Sequence, residues 1–219
     1  MKLPWGQSET ADKRRGAGVD AADPGAQSCP SLSKVLEKIL KQDKARILDL
    51  GPFCGDSAVY LAGRGARVSV EGFDPPPPVP PPDPDAPRNA PGAKGPPLEF
   101  GQDDCAFDLV LAWEQLDFVP PERLTDFGAE LHRVLDGGGY ALLFARNTPP
   151  GDGKTWRRPG RYRVLADDQL IREEGGSAVR KRWIHPTREI ERALAPLIID
   201  SIHLQRNQTR EFLAHRRSD

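Results

Sequence analysis

Cysteine is scarce in this chain: Cys29, Cys54 and Cys105 are the three among 219 residues, and no two form a C-x-x-C. That excludes a disulfide framework and a thiolate zinc knuckle. Histidine is nearly as rare, and His132, His185, His203 and His215 show neither H-x-H nor H-E-x-x-H spacing, so no metal site is expected. No stretch approaches the roughly 18 apolar residues that span a bilayer. Residues 1–27 hold no apolar run of the kind that a secretory signal requires. Net charge is lacking too, at -1 from 31 basic and 32 acidic side chains. A soluble, cytoplasmic protein with one domain of ordinary size is the expectation that remains.

Proline is what the chain has in excess. Twelve of its 23 prolines fall between Pro75 and Pro97, so the surplus is one local insertion. Proline removes backbone donors and clashes within helices, which makes this segment a polyproline-II-like loop rather than a helix or central strand. Charge is uneven as well: residues 50–145 carry a balance of -9 and residues 146–219 one of +6. A basic last third suits an anionic substrate or nucleic acid, but ordinary solvated charge on a helix and a hairpin accounts for it more readily. Residues 1–28 lack periodicity and are expected to be disordered or loosely packed, leaving 29–219 as the domain.

Within that domain the periodicities alternate. Leu32, Val35, Leu36, Ile39 and Leu40 line one helical face behind Ser31 as a candidate N-cap. Residues 45–50 (ARILDL) read as a buried parallel strand, 57–62 as a helix, and 67–73 as a second strand. A short strand is expected at 98–100 and a longer one at 107–113 (FDLVLAW). Pro120 and Pro121 open a helix bearing Leu124, Phe127, Leu131, Val134 and Leu135, which Gly137 to Gly139 end before a strand at 140–145. A helix follows Pro186, and 197–204 with 211–215 form a terminal hairpin. The order predicts an α/β fold, a Rossmann-like three-layer sandwich whose mostly parallel sheet closes with an antiparallel hairpin. Ligands of such sheets bind at the carboxyl ends of the strands.

The first strand runs into Asp49-Leu50-Gly51-Pro52-Phe53-Cys54-Gly55. A glycine-bearing turn there lets a ligand approach the backbone. The dinucleotide pattern G-x-G-x-x-G is broken by Phe53 and Asp56, which disfavours NAD or FAD. Instead the spacing of Asp49, Gly51 and Gly55 resembles the first motif of class I S-adenosylmethionine-dependent methyltransferases, D-x-G-x-G-x-G. RVSVE at 67–71 resembles that family's second strand, FDLVLAW its fourth, and LHRVLDGGGYALL at 131–143 its helix, turn and fifth strand.

The resemblance implies S-adenosylmethionine as cofactor, held by Asp49, Gly51, Phe53 and Gly55 at the first turn. Glu71 or Asp74 would hold the ribose hydroxyls, and Ala112 and Trp113 would lie beside the cofactor after the fourth strand. Phe53 stands where the family has its middle glycine, and the Pro-rich insertion replaces the adenine-side helix. Asp103 or Asp104 is left to accept from the adenine amino group. Trp113 reads as a stacking wall for a ligand or as core. Glu114, Asp117 and His185 are the acid–base candidates, and none is singled out as catalytic.

Other motifs carry less. Gly153-Lys154-Thr155 lacks the first glycine of a phosphate loop, and Ser57 lacks the last glycine of a nucleophile elbow. Arg180-Lys181-Arg182-Trp183 interleaves charge and aromatics as nucleic-acid binders do, but it stands alone and reads as a solvated strand edge. Arg206-Asn207-Gln208 suits a hairpin turn. The function expected is therefore methyl transfer from S-adenosylmethionine to an unidentified acceptor. The alternative is an inactive scaffold of the same fold that engages a protein partner through its Pro-rich segment.

Overall fold

The computed structural model describes residues 25–75, 97–149, 155–175 and 178–218. The bulk of the Pro-rich segment, the phosphate-loop-like Gly153 and Lys154, and residues 1–24 lie outside them. Ala26–Ser28, at the end of the segment expected to be loosely packed, is a strand, β1. Next come α1 (Pro30–Ile39), β2 (Arg46–Asp49), α2 (Gly55–Gly63), β3 (Arg67–Val70) and β4 (Phe107–Trp113). Two 3-10 turns, Gln115–Phe118 and Pro121–Arg123, lead into α3 (Leu124–Val134), which passes directly into β5 (Leu135–Arg146). Then follow β6 (Trp156–Arg157), β7 (Gly160–Ala166), β8 (Gln169–Glu174), β9 (Arg180–Lys181), α4 (Thr187–Ala193), β10 (Ile198–Leu204) and β11 (Thr209–His215).

The main sheet has six strands in the order β10-β11-β5-β4-β2-β3. The four from β3 to β5 run parallel, and β11 and β10 close the sheet antiparallel. This is the sandwich that the motif order predicts. Burial on both faces explains why β4 is apolar throughout except at Asp108, whose carboxylate accepts from the backbone and guanidinium of Arg46. One face packs Leu48, Val110, Leu143 and Phe212 against α3 and α4. The other packs Ile47, Leu109, Leu142 and Leu213 against α1 and part of a second sheet, β1-β8-β7. The Ser57 hydroxyl of α2 is pinned between Tyr162 O and Val164 N of β7, at 2.9 Å each, so it has a structural role and is no nucleophile.

Three sequence expectations change. The N-cap of α1 is Cys29, with Pro30 opening the helix, while the backbone N–H of Ser31 donates to Glu211 at 2.8 Å. Residues 98–100 form no strand. Their backbone is satisfied by side chains instead: Phe100 N donates to Glu130 at 2.8 Å, and Phe100 O accepts from Arg133 at 3.0 Å. Leu98 and Phe100 are nonetheless buried. The three glycines do not separate α3 from the following strand. They lie within β5 as a bulge against β4, with Gly138 at φ +79° and Gly139 packed so closely that an added Cβ would meet Phe107 O at 3.0 Å.

Candidate functional site

Strand β2 delivers Asp49 to the carboxyl end of the sheet, and the chain turns through Gly51 and Pro52 into α2. Asp49 is buried. Its Oδ1 accepts from Gly51 N at 2.8 Å and from the Trp113 indole N–H at 2.7 Å. Both bonds fall on one oxygen, so Oδ2 remains available as an acceptor among the described residues. Burial raises the Asp49 pKa to about 6, against the lowering effect of those two donors.

Ionising Asp49 in the folded protein therefore carries a cost that the unfolded chain does not bear. This cost is absent below the ordinary carboxylate pKa near 4 and grows as pH rises through about 6. Asp49→Asn keeps an oxygen for both donors. It should stabilise the protein at pH 8 by about 2 kcal/mol and bring little gain at pH 4, as read from urea midpoints at the two pH values.

Trp113, the last residue of β4, occupies the space over the turn. Its backbone is left-handed, φ 45°, where a bulky residue is uncommon. That conformation turns the indole inward: a Cβ added to Gly51 would lie 2.6 Å from Trp113 Cδ1 and 3.1 Å from Nε1. The indole stacks on Tyr162 with ring centres 4.9 Å apart and planes 10° apart, and it tilts against Phe144 at 5.7 Å. Phe53, at the position of the family's middle glycine, is 64% exposed, its ring resting 3.8 Å from where a Gly55 Cβ would be. It leaves the space that Trp113 fills.

The ribose-side acids are engaged as well. Glu71 accepts from Gly101 N at 2.8 Å and Gln102 Nε2 at 3.0 Å. Asp74 is exposed and pairs with Arg180 at 3.0 Å, and Arg180 also donates to Phe73 O at 2.6 Å. Between them and the turn lies a cavity of about 170 Å³ bordered by Leu50, Pro52, Gly72, Phe73, Gln115 and Arg180. Asp104, a candidate for the adenine side, pairs with Arg133 at 2.7 Å. Ala112 is buried in the sheet.

The three acid–base candidates are buried. Glu114 accepts from Arg172 at 2.7 and 2.9 Å, from Arg182 at 3.4 Å and from Gly160 N. Burial alone would raise its pKa, but Arg172 and Arg182 outweigh it and hold the group ionised, below the ordinary range. Asp117 accepts from Arg182 Nε at 2.8 Å and from Arg146 N at 3.2 Å, and burial raises it to about 6. His185 is held neutral by burial, and its ring nitrogens have no hydrogen-bond partner among the described residues. The Arg180–Trp183 cluster is thus only half a solvated edge. Arg180 and Lys181 form β9, whereas Arg182 is 7% exposed and locked to both acids.

Gln115, Tyr162, Arg172, Arg180 and Arg182 are site neighbours that sequence reasoning missed. Alternation of Tyr162 and Val164 with arginines, before an Asp-Asp turn, was the available signal for β7. A second cavity, of about 680 Å³, lies between β1 and the β10–β11 turn, and its buried Glu211 is occupied in capping α1. Among the described residues no helix is long and apolar enough to cross a membrane, and no group of three His, Cys, Asp or Glu side chains is placed to hold a metal ion.

No family profile matches the chain, and no curated protein matches it by sequence. Solved structures do. An S-adenosylmethionine-dependent methyltransferase from Methanosarcina mazei superposes with a TM-score of 0.50 at 15% identity, covering 84% of this chain and 98% of that one. The 1,6-didemethyltoxoflavin-N1-methyltransferase of Burkholderia thailandensis, solved with bound 1,6-didemethyltoxoflavin and S-adenosylhomocysteine, gives 0.48 at 18% identity, over 86% and 77% of the chains. A methyltransferase of the same dependence from Mesorhizobium loti gives 0.48 at 13%, over 85% and 96%. The fold is that of the class I S-adenosylmethionine-dependent methyltransferases.

Proposed function

We propose that this chain is an S-adenosylmethionine-dependent methyltransferase whose cofactor lies across the carboxyl ends of β2, β3 and β4. The observation that carries the reading is Asp49. It is a buried carboxylate beside a glycine turn at the end of a central strand, and among the described residues it has no cationic partner and one oxygen still available. A buried carboxylate of raised pKa in a cleft at the strand ends is the kind of group that ligand sites contain. Asp74 and Glu71, on the neighbouring strand end, suit ribose hydroxyls.

The fit is divided. The acids match the nucleoside and the α-ammonium of the cofactor. The methionine chain does not fit while the Trp113 indole lies on Gly51, and the cavity of about 170 Å³ beside it is too small for the whole cofactor. A cytoplasmic location goes with this reading, since Cys29, Cys54 and Cys105 are all unpaired.

A second reading, a catalytically silent scaffold, is favoured by the burial of Glu114, Asp117 and His185 within the protein, none of which is directed at a substrate. Methyl transfer can proceed by positioning alone, so this does not exclude the enzyme. The Pro-rich segment would then be the contact for a protein partner. Titration calorimetry with S-adenosylhomocysteine separates the two. The enzyme reading expects saturable binding with Kd below about 1 mM, weakened tenfold or more, a loss of about 1.4 kcal/mol, by Asp49→Ala. No heat at millimolar ligand would favour the scaffold.

A further inference from the structure

We propose that Trp113 is the residue that decides which ligands the strand-end cleft admits, an inference that rests on reading that cleft as the cofactor site. The indole makes two demands on the space where an amino-acid tail would lie. Sterically, it covers the Gly51 face, with Cδ1 only 2.6 Å from the position of an added Cβ. Chemically, its N–H at 2.7 Å occupies Asp49 Oδ1 together with Gly51 N, so that a ligand ammonium is left with Oδ2 alone.

The ring is held in this position by its stack on Tyr162 and by the strained φ of 45° at Trp113 itself. Strain of that kind persists only where the surroundings impose it. Tyr162 is fixed in turn, as its backbone O accepts from Ser57 and its hydroxyl lies 3.3 Å from Glu114. What remains beside the indole is the cavity along Leu50, Pro52, Gly72 and Phe73. It has room for a compact ring system but none for the tail. A nucleoside without an amino-acid chain enters with the indole in place, whereas S-adenosylhomocysteine must displace it.

The test compares adenosine and S-adenosylhomocysteine on wild type, Trp113→Phe and Trp113→Ser by calorimetry. Trp113→Phe keeps a ring against Tyr162 and Phe144 while removing the N–H, and so guards against loss of folding in the serine variant. S-adenosylhomocysteine should gain about tenfold in affinity with phenylalanine and more with serine, while adenosine changes less than about threefold. In the wild type, the Trp113 indole N–H resonance, assigned by its loss in Trp113→Phe, should move on saturation with S-adenosylhomocysteine and stay in place with adenosine. Equal changes for the two ligands, or an indole resonance unmoved by saturating S-adenosylhomocysteine, would overturn the proposal while leaving the cleft a cofactor site. If no protein binds either ligand, the cofactor-site reading itself fails, and this inference with it.

Discussion

Replacing Arg182 by alanine should destabilise the protein by about 3–5 kcal/mol at pH 8, because it leaves Asp117 buried without its cation. Arg182 and Asp117 are both buried, and the guanidinium reaches Glu114 as well, at 3.4 Å. The effect should depend on pH in a defined direction. Asp117 titrates near 6 in the folded protein, raised by burial and restrained by Arg182. Without the arginine its pKa rises further, so the acid is held neutral at pH 5 and the loss there is smaller than at pH 8. Urea unfolding at both values reads this difference. The double variant with Asp117→Asn should recover part of the loss, since the uncompensated charge has gone. The same pair straps the segment after β9 across the end of β4, where Trp183 N donates to Asp117 O at 2.6 Å. Loosening it should therefore also free the Tyr162 wall behind Trp113.

Gly128→Ala should cost about 3 kcal/mol, toward the upper end for an overpacked core. At an ordinary helix position the same change stabilises by about 1 kcal/mol, so even the sign is informative. Gly128 faces α4 in the middle of α3, and an added Cβ would sit 1.8 Å from Ala193 O and 2.7 Å from its carbonyl carbon. Backbone, unlike a flexible side chain, cannot swing aside, so the two helices must separate. For a chain of this size each kcal/mol lowers the melting temperature by about 2–4 °C, which places the expected fall at about 6–12 °C. Calorimetric melting of the variant measures it directly. An unchanged or higher melting temperature would mean that α3 and α4 do not cross this closely.

The parallel strands were legible because burial on both faces writes an apolar run into the chain, as in FDLVLAW, and because their order matched a known fold. What was not legible depends on contacts between distant residues. The 98–100 segment has the apolar content of a strand, but Glu130 and Arg133, some thirty residues on, satisfy its backbone. Arg182 reads as surface charge until Asp117, 65 residues earlier, is seen beneath it. At the site, Asp49 and Gly51 were placed by their motif. That Trp113 covers the turn was not legible, since it depends on one backbone angle at the end of β4. No residue pattern states that angle. The β7–β8 hairpin did have an alternating signature, but Arg161 and Arg163 at its outward positions disguised it as another basic stretch.

On the reading proposed above, the end of β2 is a cofactor site covered by a movable indole. A crystal structure of the protein with S-adenosylhomocysteine tests it most directly. The ligand ammonium is expected against the Asp49 carboxylate, its ribose hydroxyls at Asp74 or Glu71, and the Trp113 ring lifted from Gly51. A ligand bound elsewhere, or one seated at the strand ends with the indole still hydrogen-bonded to Asp49, would contradict it.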